Sequence, residues 1–223
     1  VSMQINDMRL YVDDRPDDGV FRVHPALFSS EELFELEQKY VFGRTWNFLA
    51  IDSQLPKAND FLSTWIGKTP VLVTRNASGG ISALINACRH KGAQLTRMDS
   101  GNKRYHVCAY HGWGYDSSGR NVDIKDARAG GYPAAFASDN HDLLPLGQLA
   151  SYKGLVFGSL NADVAPLQEH LGGLRPVIDL ALDQGRIDRL ADVMRRHHAQ
   201  DVHRAEFDID FDLRHLGREG VGR

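Results

Sequence analysis

Both cysteines of this chain stand beside a histidine. Cys88-x-His90 opens the segment "CRHKGAQL"; seventeen residues then intervene before Cys108-x-x-His111, which opens "CAYHGWGYDSSG". If the two turns share a ligand, the fold must bring them to one place. Thiolates and imidazoles are soft to borderline ligands and suit zinc or iron–sulfur chemistry. Two loops that each give one Cys and one His can divide them, both sulfurs to one metal ion and both imidazoles to a second. Glycines at 92, 112 and 114 let the backbone approach such a group closely. Three plainer readings stay open: buried cysteines with incidental histidines, a disulfide, and a Cys2His2 zinc site. Two cysteines in 223 residues do not suggest a disulfide scaffold. Cys-x-His is also tighter than the usual zinc-finger spacing.

The surrounding sequence predicts a small antiparallel β-domain. From Trp46 to Ser159, short apolar runs such as "WNFLAID", "TPVLVTRN", "ISALINA" and "KGLVFGSL" are punctuated by Gly, Asn, Asp and Pro. "NASGG" is a good hairpin connection into "ISALIN". Ahead of this block, the acidic first 25 residues, with Asp13, Asp14, Asp17 and Asp18, read as an extended arm. "SSEELFELEQKYVFGRTW" then predicts a helix. Ser29 would be its N-cap with Glu32 at capping-box spacing, Leu33, Phe34, Leu36, Tyr40 and Val41 its apolar stripe, and Gly43 its stop. A second helix is expected around "DVAPLQEHLGGLR", with Pro166 in its first turn. The expected fold is therefore mainly β: an N-terminal arm and helix (1–44), a cluster-bearing β-domain (45–165), a connecting helix (166–184) and an atypical tail (185–223).

Composition narrows the function classes. With 42% hydrophobic and 25% charged residues and a net charge of −3, neither nucleic acid nor an anionic membrane is an expected partner. No run approaches the ~20 apolar residues of a membrane span, and "VSMQINDMRLYVDDRPDDG" has no apolar signal core. The reading is a cytoplasmic protein with reduced thiols.

The two cysteine turns, with the Arg-His-Lys-Gly run, the "YHGW" turn and the Ser-Gly hairpin after it, resemble the Rieske motif of the large subunits of aromatic-ring-hydroxylating dioxygenases. The likeness extends over residues 10–184. "VFGRTWNFLAIDSQLPKANDFLSTWIGKTPVLVTRN" and "ASYKGLVFGSLNADVAPLQEHLG" resemble the segments before and after the cluster. Asp13-Asp14-Arg15 and "GVFRVHPALFSSEELFELEQKYVF" are most similar to the benzoate, toluate and anthranilate branch. The resemblance implies a [2Fe–2S] cluster, with Cys88 and Cys108 on one iron and His90 and His111 on the other. Arg89, Lys91 and Trp113 would support the cluster or dock a partner, and for Trp113 simple packing over the cluster is an equal reading. It also implies an electron donor, a reductase or ferredoxin, and a mononuclear iron(II) in a separate catalytic domain acting on an aromatic acid. Other large subunits and a small subunit would complete the assembly.

The tail departs from that pattern. His198 and His203 have the spacing of the mononuclear iron pair, but Arg195 stands where the family carries Asp. The carboxylate ligand has no evident counterpart, although Asp201, Asp208, Asp210 and Asp212 are near. From Gly185 onward there is no lysine, and four of the ten histidines lie there, as an out-of-frame segment would give. The expectation is that mononuclear iron is absent, that the chain alone transfers electrons, and that it contributes no catalytic residue. The rivals are a stand-alone Rieske electron-transfer protein and a zinc-stapled interaction domain.

Overall fold

The computed structural model describes residues 10–127, 129–133, 135–136 and 139–183. The chain opens with a hairpin, β1 (Val12–Arg15) and β2 (Val20–Val23), where an extended arm was expected. The turn chemistry of Pro16-Asp17-Asp18-Gly19 explains it. The three residues Pro16–Asp18 form a 3-10 turn, and Gly19 takes φ 64°, which suits glycine. Arg15 holds the turn by bonding Asp13 and Asp18, each at 2.8 Å.

Helix α1 (Glu31–Glu37) starts one residue later than the capping-box spacing predicts: the Leu33 N–H bonds Ser30 Oγ at 3.4 Å. Ser29 instead closes the preceding 3-10 turn, and its hydroxyl donates back to Pro25 O at 3.4 Å. The helix then widens into a π turn over Gln38–Phe42 and ends at Gly43 with φ −77°, so the stop is not a left-handed cap. The apolar stripe is narrower than expected: Leu33 is buried, but Phe34 and Val41 are exposed.

The body of the fold consists of three antiparallel sheets. The largest has the order β6 (Ile81–Ile85), β5 (Thr69–Arg75), β4 (Asp60–Ile66), β7 (Ser100–Asn102). A second has the order β11 (Gln148–Tyr152), β12 (Leu155–Ser159), β3 (Asn47–Ile51). The third, small sheet runs β10 (Asn121–Asp123), β9 (Gly114–Asp116), β8 (Tyr105–Val107).

Strand β5 explains how they stack. Its side chains alternate between the two faces, as in any strand. Val71 and Val73 join Leu49, Leu62, Ile66, Ile85 and Val156 in one core. Leu72 points the other way, into a second core with Phe61, Leu84, Leu95, Trp113, Tyr115 and both cysteines. Buried on both faces, β5 reads as the continuous apolar run "VLV". Each such residue contributes roughly 1.5–3 kcal/mol by leaving water. The cysteine turns therefore stand on a rigid central strand.

After β12, α2 (Leu167–Leu171) is pinned by Trp46, whose Nε1–H bonds Ala165 O at 2.7 Å; Pro166 sits at its N-cap rather than inside its first turn. A further helix, α3 (Arg175–Asp183), follows. Among the described residues, no helix is long and apolar enough to cross a membrane. Arg195, His198, His203 and the aspartates of the tail lie outside the described residues.

Candidate metal centre

Two turns with one backbone design face each other. In the first, after β6, the Cys88 N–H bonds Ala93 O and the Gly92 N–H bonds Cys88 O, both at 2.8 Å. In the second, between β8 and β9, the Cys108 N–H bonds Trp113 O at 2.8 Å and the Gly112 N–H bonds Cys108 O at 2.9 Å. The glycine four residues after each cysteine is left-handed, φ 76° at Gly92 and 71° at Gly112. The spacing of the histidines differs, yet the turns converge. The rings of His90 and His111 meet edge to face, 4.6 Å apart.

The first turn is anchored from below by Asn86. This buried side chain donates to Thr96 O at 2.8 Å and accepts the Thr96 N–H at 3.1 Å, imitating a strand neighbour. Asn86 opens the segment "NACRH", but nothing in that segment marks it as an anchor. Tyr115, fully buried at the base of the second turn, is likewise outside the Cys/His pattern. Tyr115 Oη accepts the Arg89 N–H at 3.1 Å and lies 3.3 Å from Cys88 Sγ. Its place two residues after Trp113, in the alternating run "WGY", is the available signal.

Sulfur lies deep and imidazole shallow. Cys88 and Cys108 are free thiols, 1% and 2% exposed. His90 is half-buried, and His111 is exposed, as are Lys91 and Tyr110. Burial pushes the Cys88 thiol up, and neighbouring Cys108 adds to this. Burial pulls His90 down, helped by His111 and Lys91. The protein scaffold thus favours the neutral His90 imidazole, the form that binds metal, and the protonated Cys88 thiol, whose proton a bound cation would displace. Tyr115 is shifted up, by burial first and then by Cys88, so it keeps its proton and can donate to sulfur.

The residues fit a two-metal cluster. His90 Nδ1 is buried with no hydrogen-bond partner, and a metal ion beside the two thiols would satisfy it. The candidate ligands are two buried thiols and the facing imidazoles of His90 and His111. Trp113, 2% exposed, stacks on His90 at 4.9 Å with 16° between planes. Arg89 is half-buried with its Nε unpartnered.

Comparison with known proteins agrees with this geometry. Residues 45–152 match the family model of the Rieske [2Fe–2S] domain. The toluate 1,2-dioxygenase subunit alpha of Pseudomonas putida is 44% identical over 174 residues, which is 78% of this chain and 38% of that protein. The anthranilate 1,2-dioxygenase large subunit of Burkholderia cepacia is 44% identical over 170 residues, 74% of this chain and 40% of that one. Among solved structures, naphthalene 1,2-dioxygenase from Rhodococcus sp. bound to indole superposes with a TM-score of 0.64 at 35% identity, over 71% of this chain and 36% of that one. The chain spans about two-fifths of the length of the curated relatives it matches. With its paired cysteine turns and mainly β architecture, the chain carries a Rieske [2Fe–2S] domain over residues 45–152, and it is similar to the large subunits of aromatic-ring dioxygenases, the toluate and anthranilate enzymes among them.

Proposed function

We propose that Cys88 and Cys108 hold one iron of a [2Fe–2S] cluster, that His90 and His111 hold the other, and that residues 45–165 form an electron-transfer unit. The observation that carries this reading is the unpartnered, buried His90 Nδ1 beside two buried thiols. Bound there, the cluster supplies one-electron chemistry, and its histidine ligands raise its potential above that of an all-cysteine cluster. The residues do the rest. The two matching turns fix the donors, and Tyr115 offers its O–H to Cys88 Sγ. Exposed His111 brings the centre to the surface, where a partner can exchange an electron.

By analogy with the enzymes it resembles, the electron comes from a reductase or ferredoxin and passes toward a mononuclear iron(II) oxygenation site. Other large subunits and a small subunit would complete such an assembly in the cytoplasm, where thiols stay reduced. Its substrate would be an aromatic acid, and this chain would supply the relay rather than the oxygenation chemistry.

The test is the ratio of iron to acid-labile sulfide to protein, on material purified without air, with zinc counted in the same sample. Two irons and two sulfides per chain are expected. A third iron that disappears in His198→Ala would extend the proposal to oxygenation by this chain. Zinc without sulfide would overturn the reading.

A further inference from the structure

Trp113, flat against His90, is itself walled in by three rings outside the cysteine motif. Tyr132, Phe136 and His141, on the segment between β10 and β11, meet it edge-on at 6.4, 5.8 and 5.3 Å. The wall is internally braced. Phe136 stacks on Tyr132 at 4.4 Å and lies 4.2 Å from His141, whose Nε2 is 2.8 Å from Phe136 O. The same three residues line a cavity of about 620 Å³, whose other walls include Arg120, Asp123, Asp139 and Asp142. A cavity of that size and polarity admits water. Yet Trp113 Nε1, just behind the rings, is buried from solvent. The rings therefore act as a partition between a wet cavity and the ring stack that covers His90.

Resting on the ligand assignment above, we propose that Phe136 and His141 are positioning residues that keep this face of the cluster dry and so hold its reduction potential down. Two ferric ions, two sulfides, two thiolates and two neutral imidazoles sum to zero charge. One electron from an external donor, with no bond made or broken, leaves a charge of −1. A dry surrounding penalises the charged member of such a pair. Admitting water beside Trp113 relieves that penalty and favours the reduced form.

The test is a potentiometric titration of the loaded full chain, with dithionite as reductant and the reduced cluster followed by electron paramagnetic resonance. Iron and sulfide are counted in every sample. His141→Ala and Phe136→Ala are expected to raise the midpoint potential and to increase deuterium modulation from the cluster in D2O. His141→Phe, which keeps a ring in place, is expected to stay near the parent on both readouts. Alanine variants with full iron and sulfide but unchanged potential and modulation would overturn the wall while leaving the ligand assignment standing. So would a His141→Phe shift as large as that of His141→Ala. Should the alanine variants fail to retain iron, Phe136→Val must shift both readouts in the same direction, and no shift overturns the proposal. A parent chain without iron and sulfide would overturn the ligand assignment itself, and this proposal with it.

Discussion

Tyr115 stands 3.3 Å from Cys88 Sγ and ties that sulfur to the backbone of Arg89 through one oxygen. A hydrogen bond to sulfur favours the more negative state of a cluster bound there. Tyr115→Phe removes it and leaves the Arg89 N–H without its acceptor. The expected result is a lower midpoint potential, by on the order of 1 kcal/mol of preference for the reduced state, with iron and sulfide retained. A titration of the variant checks it, and an unchanged or higher potential would contradict the role assigned to Tyr115.

Asn86 gives a second test, of scaffold rather than electronics. Asn86→Ala strips the Thr96 N–H and C=O of their buried partner. Each group left alone costs about 1–3 kcal/mol. The variant should lose about 2–6 kcal/mol of stability and bind iron less completely, because the first cysteine turn rests on that contact. A thermal midpoint equal to the parent's would sink this account.

Two glycines separate conformational strain from steric clash. Gly112 has φ 71°, and a Cβ there would meet the flexible Lys125 side chain at 3.3 Å. Gly119 has φ 89°, and its Cβ would lie 2.7 Å from the buried Leu84 side chain. Gly112→Ala should cost about 1–2 kcal/mol from its backbone alone. Gly119→Ala adds overpacking to strain and should cost about 2–4 kcal/mol. Thermal midpoints in that order support the analysis, and the reverse order refutes it.

His106 makes the fold acid-sensitive in a definite window. It is 2% exposed, packs edge-on against Phe61 at 5.1 Å, and neither ring nitrogen has a partner. Burial, helped by Lys103, lowers its pKa from 6.5 to about 4. The unfolded chain therefore binds the extra proton first as pH falls. This group's contribution is complete above about pH 6.5 and is lost as pH drops toward about 4, to an extent on the order of 3 kcal/mol. His106→Leu should be at least as stable at pH 7 and should lose less stability between pH 7 and 4. If the parent and His106→Leu fall equally over that range, His106 is not the cause.

How much of this was legible before the structure depended on range. The strands around "TPVLVTRN" and "ISALINA" were readable because alternation, β-branched residues and the "NASGG" turn all agree locally. The convergence of His90 and His111 was readable because both cysteine turns carry a short, specific pattern. The N-terminal hairpin was missed because four acidic residues masked a Pro-Asp-Asp-Gly turn, and the cap moved from Ser29 to Ser30 because an adjacent turn competes for Ser29. Tyr115, Asn86 and the Phe136–His141 wall act across the fold, 27, 10 and up to 28 residues from the groups they touch. No local pattern announces such contacts.

The depth of the two thiols has a consequence for the order of assembly. Cys88 and Cys108 are nearly sealed inside the core that β5 and β9 share. Their near-complete burial restricts the access of iron to them in the finished fold. A cluster held by the proposed ligands would then be inserted while the two turns are still apart, or through a transient opening of the small sheet that carries β8 and β9. Maturation would be coupled to folding, and the rate at which a chelator strips the centre would report how often the domain opens.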